Sequence, residues 1–263
     1  MISKRFNFKT WKGKDWILFF IIIPFFMILI YLLPQKSILI LNTNNPTVLS
    51  IFFSNYVHTT FWHLFSNLSS YLLIMFFLFK TEHNRKRLYF VSIFLFLMLP
   101  FILSLLPIVT FPKNKNLLGF SGIVSAFLGY LVFSIYSYLK KNYYAKLELS
   151  FMYLLLFLSI FVWAIVNFFK LPFLSSLPII GYSIFLLYQN RNSIKKIYTE
   201  LMDRNIFERV FLVCLFSYLL SSGLFLIPLQ IRDGGNDVNI VIHWFGYCLG
   251  VLVALVFSHL KKY

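Results

Sequence analysis

Residues 88–110 read LYFVSIFLFLMLPFILSLLPIVT, twenty-three positions without one charged side chain. As a helix rising 1.5 Å per residue, that run covers roughly 34 Å, enough to cross a hydrocarbon core of ~30 Å. Its apolar residues are continuous rather than alternating. A backbone in lipid must also satisfy its own hydrogen bonds, so the spanning form is a helix. The same texture continues on both sides. Apolar runs between polar punctuation predict eight spans, at 16–33, 57–79, 88–110, 117–139, 149–168, 172–189, 210–228 and 239–259. The segment 172–189 is short and holds Pro172 and Pro178, so a re-entrant piece is its other reading.

The composition agrees with the pattern. The 263 residues are 60% apolar, 21% aromatic and only 12% charged, with a mean hydropathy of +0.80. Soluble domains carry about 25% charged residues, so this chain cannot cover a water-facing surface, and a soluble globular enzyme is excluded. No long polar segment interrupts the spans, which predicts a single membrane domain over 1–263. Its first apolar stretch is too long for a signal peptide and leads into Leu33-Pro34-Gln35-Lys36 rather than a small-residue cleavage site. The loop at 34–56 is partly apolar and is expected to lie in a membrane interface. Cys214 and Cys248 sit in apolar runs with no paired spacing and read as buried small hydrophobes.

The net charge of +16, from 24 Lys and Arg against 8 Asp and Glu, gains meaning from position. With the N-terminus in the cytoplasm, 19 of the 24 cations fall in cytoplasmic segments: five before the first span, four at 80–87, three at 140–146, five at 191–209 and two at 261–262. Only Lys36, Lys113, Lys115, Lys170 and Arg232 lie outside. This asymmetry predicts an N-in, C-in topology. It also reads the cations as a membrane address rather than a nucleic-acid surface.

Polar groups inside such spans are costly and mark function. His58, His63 and Asn67 open the second span, Ser121 the fourth and His243 the eighth. In the predicted topology these three spans all run from outside to inside, so the polar residues share one depth near the outer face. A serine hydroxyl needs a base, and histidine, with an ordinary pKa near ~6.5, is the usual one. His63 and Asn67, spaced i,i+4, share a helical face and suit an oxyanion site, joined by the backbone N–H of Ser121 in an unpaired first turn. His58 precedes the helical turn and is expected to hold the loop. Gly122 with Ala126, and Gly246 with Gly250, form small-residue faces directly below Ser121 and His243 that let the two helices approach.

These motifs resemble the rhomboid family of intramembrane serine proteases. His58, His63 and Asn67 match the family's His-x4-His-x3-Asn pattern, Gly119 to Gly122 its Gly-x-Ser-Gly, and His243, Gly246 and Gly250 its His-x-x-Gly-x-x-x-Gly. The resemblance implies an all-α polytopic rhomboid-like bundle of about eight helices. It implies a Ser121–His243 dyad with His63 and Asn67 in the oxyanion hole, no cofactor, and transmembrane protein substrates cleaved near the outer face, with the enzyme in the cell membrane. Three departures stand out. Three spans rather than one separate the serine and histidine helices, which makes the core 16–139 and 239–259 with an extra helix pair within 149–228. Position 125, often a tyrosine stacked on the histidine, is Ser125, and the 34–56 loop has no Trp-Arg pair.

Three rival readings are weighed. A zinc site lacks HExxH and any nearby acid, since the closest to His63 is Glu82 at the far end of its span. A transporter is expected to show repeated halves or interior charges. A catalytically weak or inactive rhomboid-like protein that binds membrane segments remains the alternative, although such proteins typically lack the serine or the histidine. The 34–56 loop and the 220–238 region, including Gly234 and Gly235, are candidate gates by position.

Overall fold

The computed structural model describes residues 11–110, 116–166, 173–226, 232–233, 236–237 and 240–259. Helix α1, Gly13–Leu32, has a π-helical turn at Leu18–Ile22. The chain then passes through a 3-10 turn (Lys36–Leu39), strand β1 (Leu41–Asn42), helix α2 (Val48–Phe53) and a second 3-10 turn (Ser54–Tyr56). There follow α3 (Phe61–Thr81), α4 (Arg85–Val109), β2 (Asn116–Leu117) and α5 (Ser121–Asn142). Next come α6 (Leu149–Val166), α7 (Phe173–Gln189), α8 (Arg191–Met202) and α9 (Ile206–Leu226). Strands β3 (Arg232–Asp233) and β4 (Asn236–Asp237) lead to α10 (Ile240–His259). The strands make only two antiparallel pairs, β1 with β2 and β3 with β4.

Among the described residues seven helices are long and apolar enough to cross a membrane: α1, α3, α4, α5, α6, Ile206–Leu224 of α9 and Ile242–His259 of α10. The eighth expected span, 172–189, corresponds to α7, whose apolar part Leu177–Gln189 is shorter. The chain is thus a polytopic helical membrane protein. Gly234 and Gly235, named as part of a gate, lie outside the described residues.

Local chemistry sets the boundaries. The Thr60 hydroxyl accepts the His63 N–H at 3.2 Å and caps α3, so the helix starts at Phe61 and leaves His58 in the entering turn. Thr47 and Ser50 cap α2 reciprocally, and Asn84 accepts the Arg87 N–H at 3.1 Å to cap α4. Helix α4 begins three residues before the apolar run, at its Asn84 cap, and two of the three cations there are paired. Arg85 meets the buried Asp15 at 2.6 Å, and Arg87 meets the buried Glu82 at 2.7 and 2.8 Å. Tyr130 adds a 2.8 Å hydrogen bond to Glu82.

The cysteine expectation is corrected. Cys214 and Cys248 are both exposed. In a bilayer the outside of a bundle is apolar too, so an apolar run does not tell lipid-facing positions from interior ones.

The helices fall into two compact units. One comprises α1 to α4, α5 up to Leu131, and α10. Helix α5, which is divided between the two units, is the most buried of the candidate spans among the described residues, at 94% against 28–44% for the others. The other unit runs from Val132 through α6 to α9. Here Gly223 of α9 lies against the Ser159 carbonyl, where an added Cβ would stand 2.2 Å from the oxygen. At one end of this unit Glu208, capped by Asn205, accepts the Tyr143 hydroxyl at 2.6 Å and the Tyr138 hydroxyl at 3.2 Å. Arg204 donates to the Asn142 carbonyl at 2.8 Å, and Ser150 to Asn190 Oδ1 at 3.1 Å.

Candidate active site

Ser121 is the first residue of α5 and His243 lies in the first turn of α10. The two side chains meet, with His243 Nε2 at 2.6 Å from Ser121 Oγ across 122 residues of sequence. The backbones below permit this approach. A Cβ on Gly246 would stand 2.3 Å from the Gly122 carbonyl oxygen, and one on Gly250 would stand 1.9 Å from that of Ala126. Any larger side chain there forces the helices apart. Gly129 continues the seam one turn down, 2.0 Å by the same measure from the Tyr247 carbonyl oxygen. Gly129 also falls at spacing four from Ser125, a small-residue pair that the sequence carries beside Gly122 and Ala126.

The serine is approached through Gly119, which has φ +120°, a conformation side chains of L-residues rarely adopt. A Cβ there would lie 3.0 Å from His63 Cε1 and 3.8 Å from Ser121 Oγ. His63, Gly119 and Ser121 therefore converge on one small volume, with both His63 and Ser121 half-buried. The Gly119 N–H donates to the Ser54 carbonyl at 2.9 Å, a contact no sequence pattern signalled.

Asn67 is buried one turn below His63. Its Nδ2 lies 2.9 Å from His58 Nε2, and the His58 ring sits edge-on to His63 with centroids 5.0 Å apart. Burial, reinforced by the neighbouring His63, pushes the His58 pKa down to about 3. A neutral His58 accepts the Asn67 amide proton at Nε2, which fixes which way the amide faces and leaves its second N–H available. Ser125 donates to the Ser121 carbonyl at 2.8 Å, a back-bond within its own helix. Among the described residues no three His, Cys, Asp or Glu side chains cluster as a metal site would require.

The arrangement is a hydroxyl hydrogen-bonded to an imidazole, with two further polar side chains and a helix N-terminus alongside. It is equipped for nucleophilic attack on a carbonyl. A family model, described as the Rhomboid domain, matches residues 45–176, half of the chain. No curated protein and no solved structure matches it. The match takes in His58, His63, Asn67, Gly119, Ser121 and Gly122 and ends before His243, whose ring meets Ser121 in the structure.

Proposed function

The chain belongs to the rhomboid family, and from that premise we propose that this multi-pass membrane protein is an intramembrane serine endopeptidase that cleaves transmembrane protein substrates by a Ser121–His243 dyad. The observation that carries the reading is the 2.6 Å contact between Ser121 Oγ and His243 Nε2. His243 Nε2 takes the hydroxyl proton as Ser121 attacks a peptide carbonyl, then returns it to the leaving amine. Water releases the acyl group by the same steps in reverse order. Asn67, His63 and the Ser121 N–H donate to the oxyanion. In a site screened from water such donors are worth several kcal/mol together. His58 acts through Asn67, whose amide it orients.

The reading includes one membrane domain with a helix pair inserted between the serine and histidine helices. It places the site near the outer face of the cell membrane, with the N- and C-termini inside, on the strength of the 19 to 5 cation split. A second reading, a rhomboid-like protein that binds membrane segments with little or no activity, is favoured by one feature: position 125 offers a serine, bonded to its own helix, where an aromatic would steady the histidine.

Detergent-solubilised wild type is expected to react with a fluorophosphonate probe and to cleave a model transmembrane substrate. Ser121→Ala and His243→Ala are expected to lose both, with turnover reduced about 10⁴-fold or more. Cleavage that survives in Ser121→Ala overturns the protease reading. A wild type that binds the segment without labelling or cleavage establishes the second one.

A further inference from the structure

Helix α4 has a defect at Pro100. A proline has no N–H to give to the carbonyl four residues earlier, here that of Phe96, and the helix is locally widened to a π-turn over Phe94–Met98. The segment Ser54-Asn55-Tyr56 fills the gap. The Tyr56 hydroxyl donates to the Phe96 carbonyl. Asn55 Nδ2 lies 3.1 Å from the Pro100 carbonyl oxygen and 2.8 Å from Ser104 Oγ, which uses both of its protons. The Ser104 hydroxyl in turn donates to the Ile51 carbonyl at 2.6 Å and stands 3.4 Å from Ser54 Oγ. All four side chains are buried.

Two of these residues, Ser54 and Tyr56, also touch the chain immediately before the nucleophile. The Ser54 carbonyl accepts the Gly119 N–H at 2.9 Å, and the Tyr56 ring packs on Phe120 at 5.8 Å between centroids. Phe120 is fully buried and rests also on Tyr71 and Phe96. The two residues that aim Ser121 are thus gripped by a segment whose own position is set by the Phe96 carbonyl that the proline leaves without its donor, and by the Pro100 carbonyl and Ser104 hydroxyl just beyond it. Gly119 needs that grip, because its φ of +120° has no side chain to hold it.

We infer that Asn55 and Tyr56, with Ser104, are positioning residues for Ser121. They fix the 54–56 segment on the face of α4 around Pro100, and Ser54 and Tyr56 carry that position to Gly119 and Phe120. None of them meets the substrate. The inference rests on the proposed role of Ser121, and it assigns the 54–56 segment a task in the chemical step rather than in gating.

The experiment compares wild type, Tyr56→Phe, Asn55→Ala, Ser104→Ala and Ser104→Thr, in detergent, at a temperature where each is folded by circular dichroism. The rate constant for fluorophosphonate labelling, kcat, KM and the pH profile are measured. Tyr56→Phe keeps the ring on Phe120 and loses only the hydroxyl, so it isolates the link to α4. The expected result is labelling and kcat about tenfold lower in Tyr56→Phe, Asn55→Ala and Ser104→Ala, since small misplacement of a nucleophile is costly. KM is expected to stay put, and so is the acid limb of the profile, because His243 is not touched. Ser104→Thr, which keeps the hydroxyl, is expected to retain at least half of the wild-type rate. Rates within twofold of wild type in all the variants overturn the inference, as does an acid limb that shifts with the loss. If Tyr56→Phe or Asn55→Ala does not fold, the Ala and Thr variants at 104 decide. A wild type that never labels defeats the proposed function itself, whereas a labelled wild type with unaffected variants defeats only this inference.

Discussion

His58 stands ahead of the first turn of α3 with its Nε2 2.9 Å from the Asn67 amide. Only the neutral ring accepts that proton, and burial beside His63 holds the folded-state pKa near 3. The unfolded chain takes up this proton near pH 6.5. Between those two values the unfolded state binds more protons than the folded one, so stability is full above pH 6.5 and drains away as the pH falls toward 3. From pH 7 to pH 5 the loss is about 2 kcal/mol. His58→Gln keeps an acceptor that does not titrate. Wild type is expected to lose more thermal stability between pH 7 and 5 than His58→Gln does, each compared with itself in one detergent. Equal losses would assign the acid sensitivity to other groups and leave Asn67 without this anchor.

At the scale of the element, the seam between α5 and α10 sets the serine–histidine distance. The closest approaches are backbone oxygens facing glycines at 246, 250 and 129, and an oxygen of the main chain cannot rotate away from an added side chain. Gly250→Val is therefore expected to push the helices apart, to cost about 3 kcal/mol, and to abolish fluorophosphonate labelling with the Ser121–His243 contact. Gly181→Ala on α7 is the control, since nothing lies within 4 Å of its missing Cβ. Labelling of Gly250→Val at the wild-type rate would mean that the helices do not need this approach. Much of the seam is legible in the sequence, because Gly122, Ala126, Gly246 and Gly250 fall at spacing four below two polar residues, and a period of that kind survives without coordinates. The network behind it is not. Glu82 reads as a loop acid, yet it is buried among Arg87, Asn84 and Tyr130, and a sequence reports a charge without its partner. Ser54 and Tyr56 read as loop residues because their bonds go to carbonyls on α4 and to Gly119, and every residue type has a backbone. Hydropathy alone starts the second span at 57, and the Thr60 hydroxyl moves the start of α3 to Phe61.

For the whole molecule the question is how many times the chain crosses between Ser121 and His243. Their contact puts the starts of α5 and α10 at one end, so the number of crossings between them is even. Among the described residues helices α5, α6 and α9 are three, and the proposed dyad needs α7 as the fourth. Its 17 residues reach ~26 Å, a few ångströms short of a typical core, which local thinning absorbs. The inserted unit agrees from its own contacts. Ser150, at the start of α6, meets Asn190, just past the end of α7, and Arg204, just ahead of α9, meets the Asn142 carbonyl. Helix α7 therefore ends level with the start of α6, as an antiparallel full traverse does and a re-entrant loop does not. In the proposed N-in orientation that end is the cytoplasmic one, and Lys140, Lys141, Arg191, Lys195 and Lys196 all fall there. In a Cys214→Ser, Cys248→Ser background, which removes both native thiols, single cysteines at Lys141 and Asn192 are expected to react with a membrane-impermeant maleimide only after the cells are opened. Cysteines at Lys36 and Val166 are expected to react on intact cells. If positions 166 and 192 label from the same side, α7 turns back within the bilayer. An odd number of crossings would then separate Ser121 from His243 by the thickness of the membrane, and the dyad would fail with the topology.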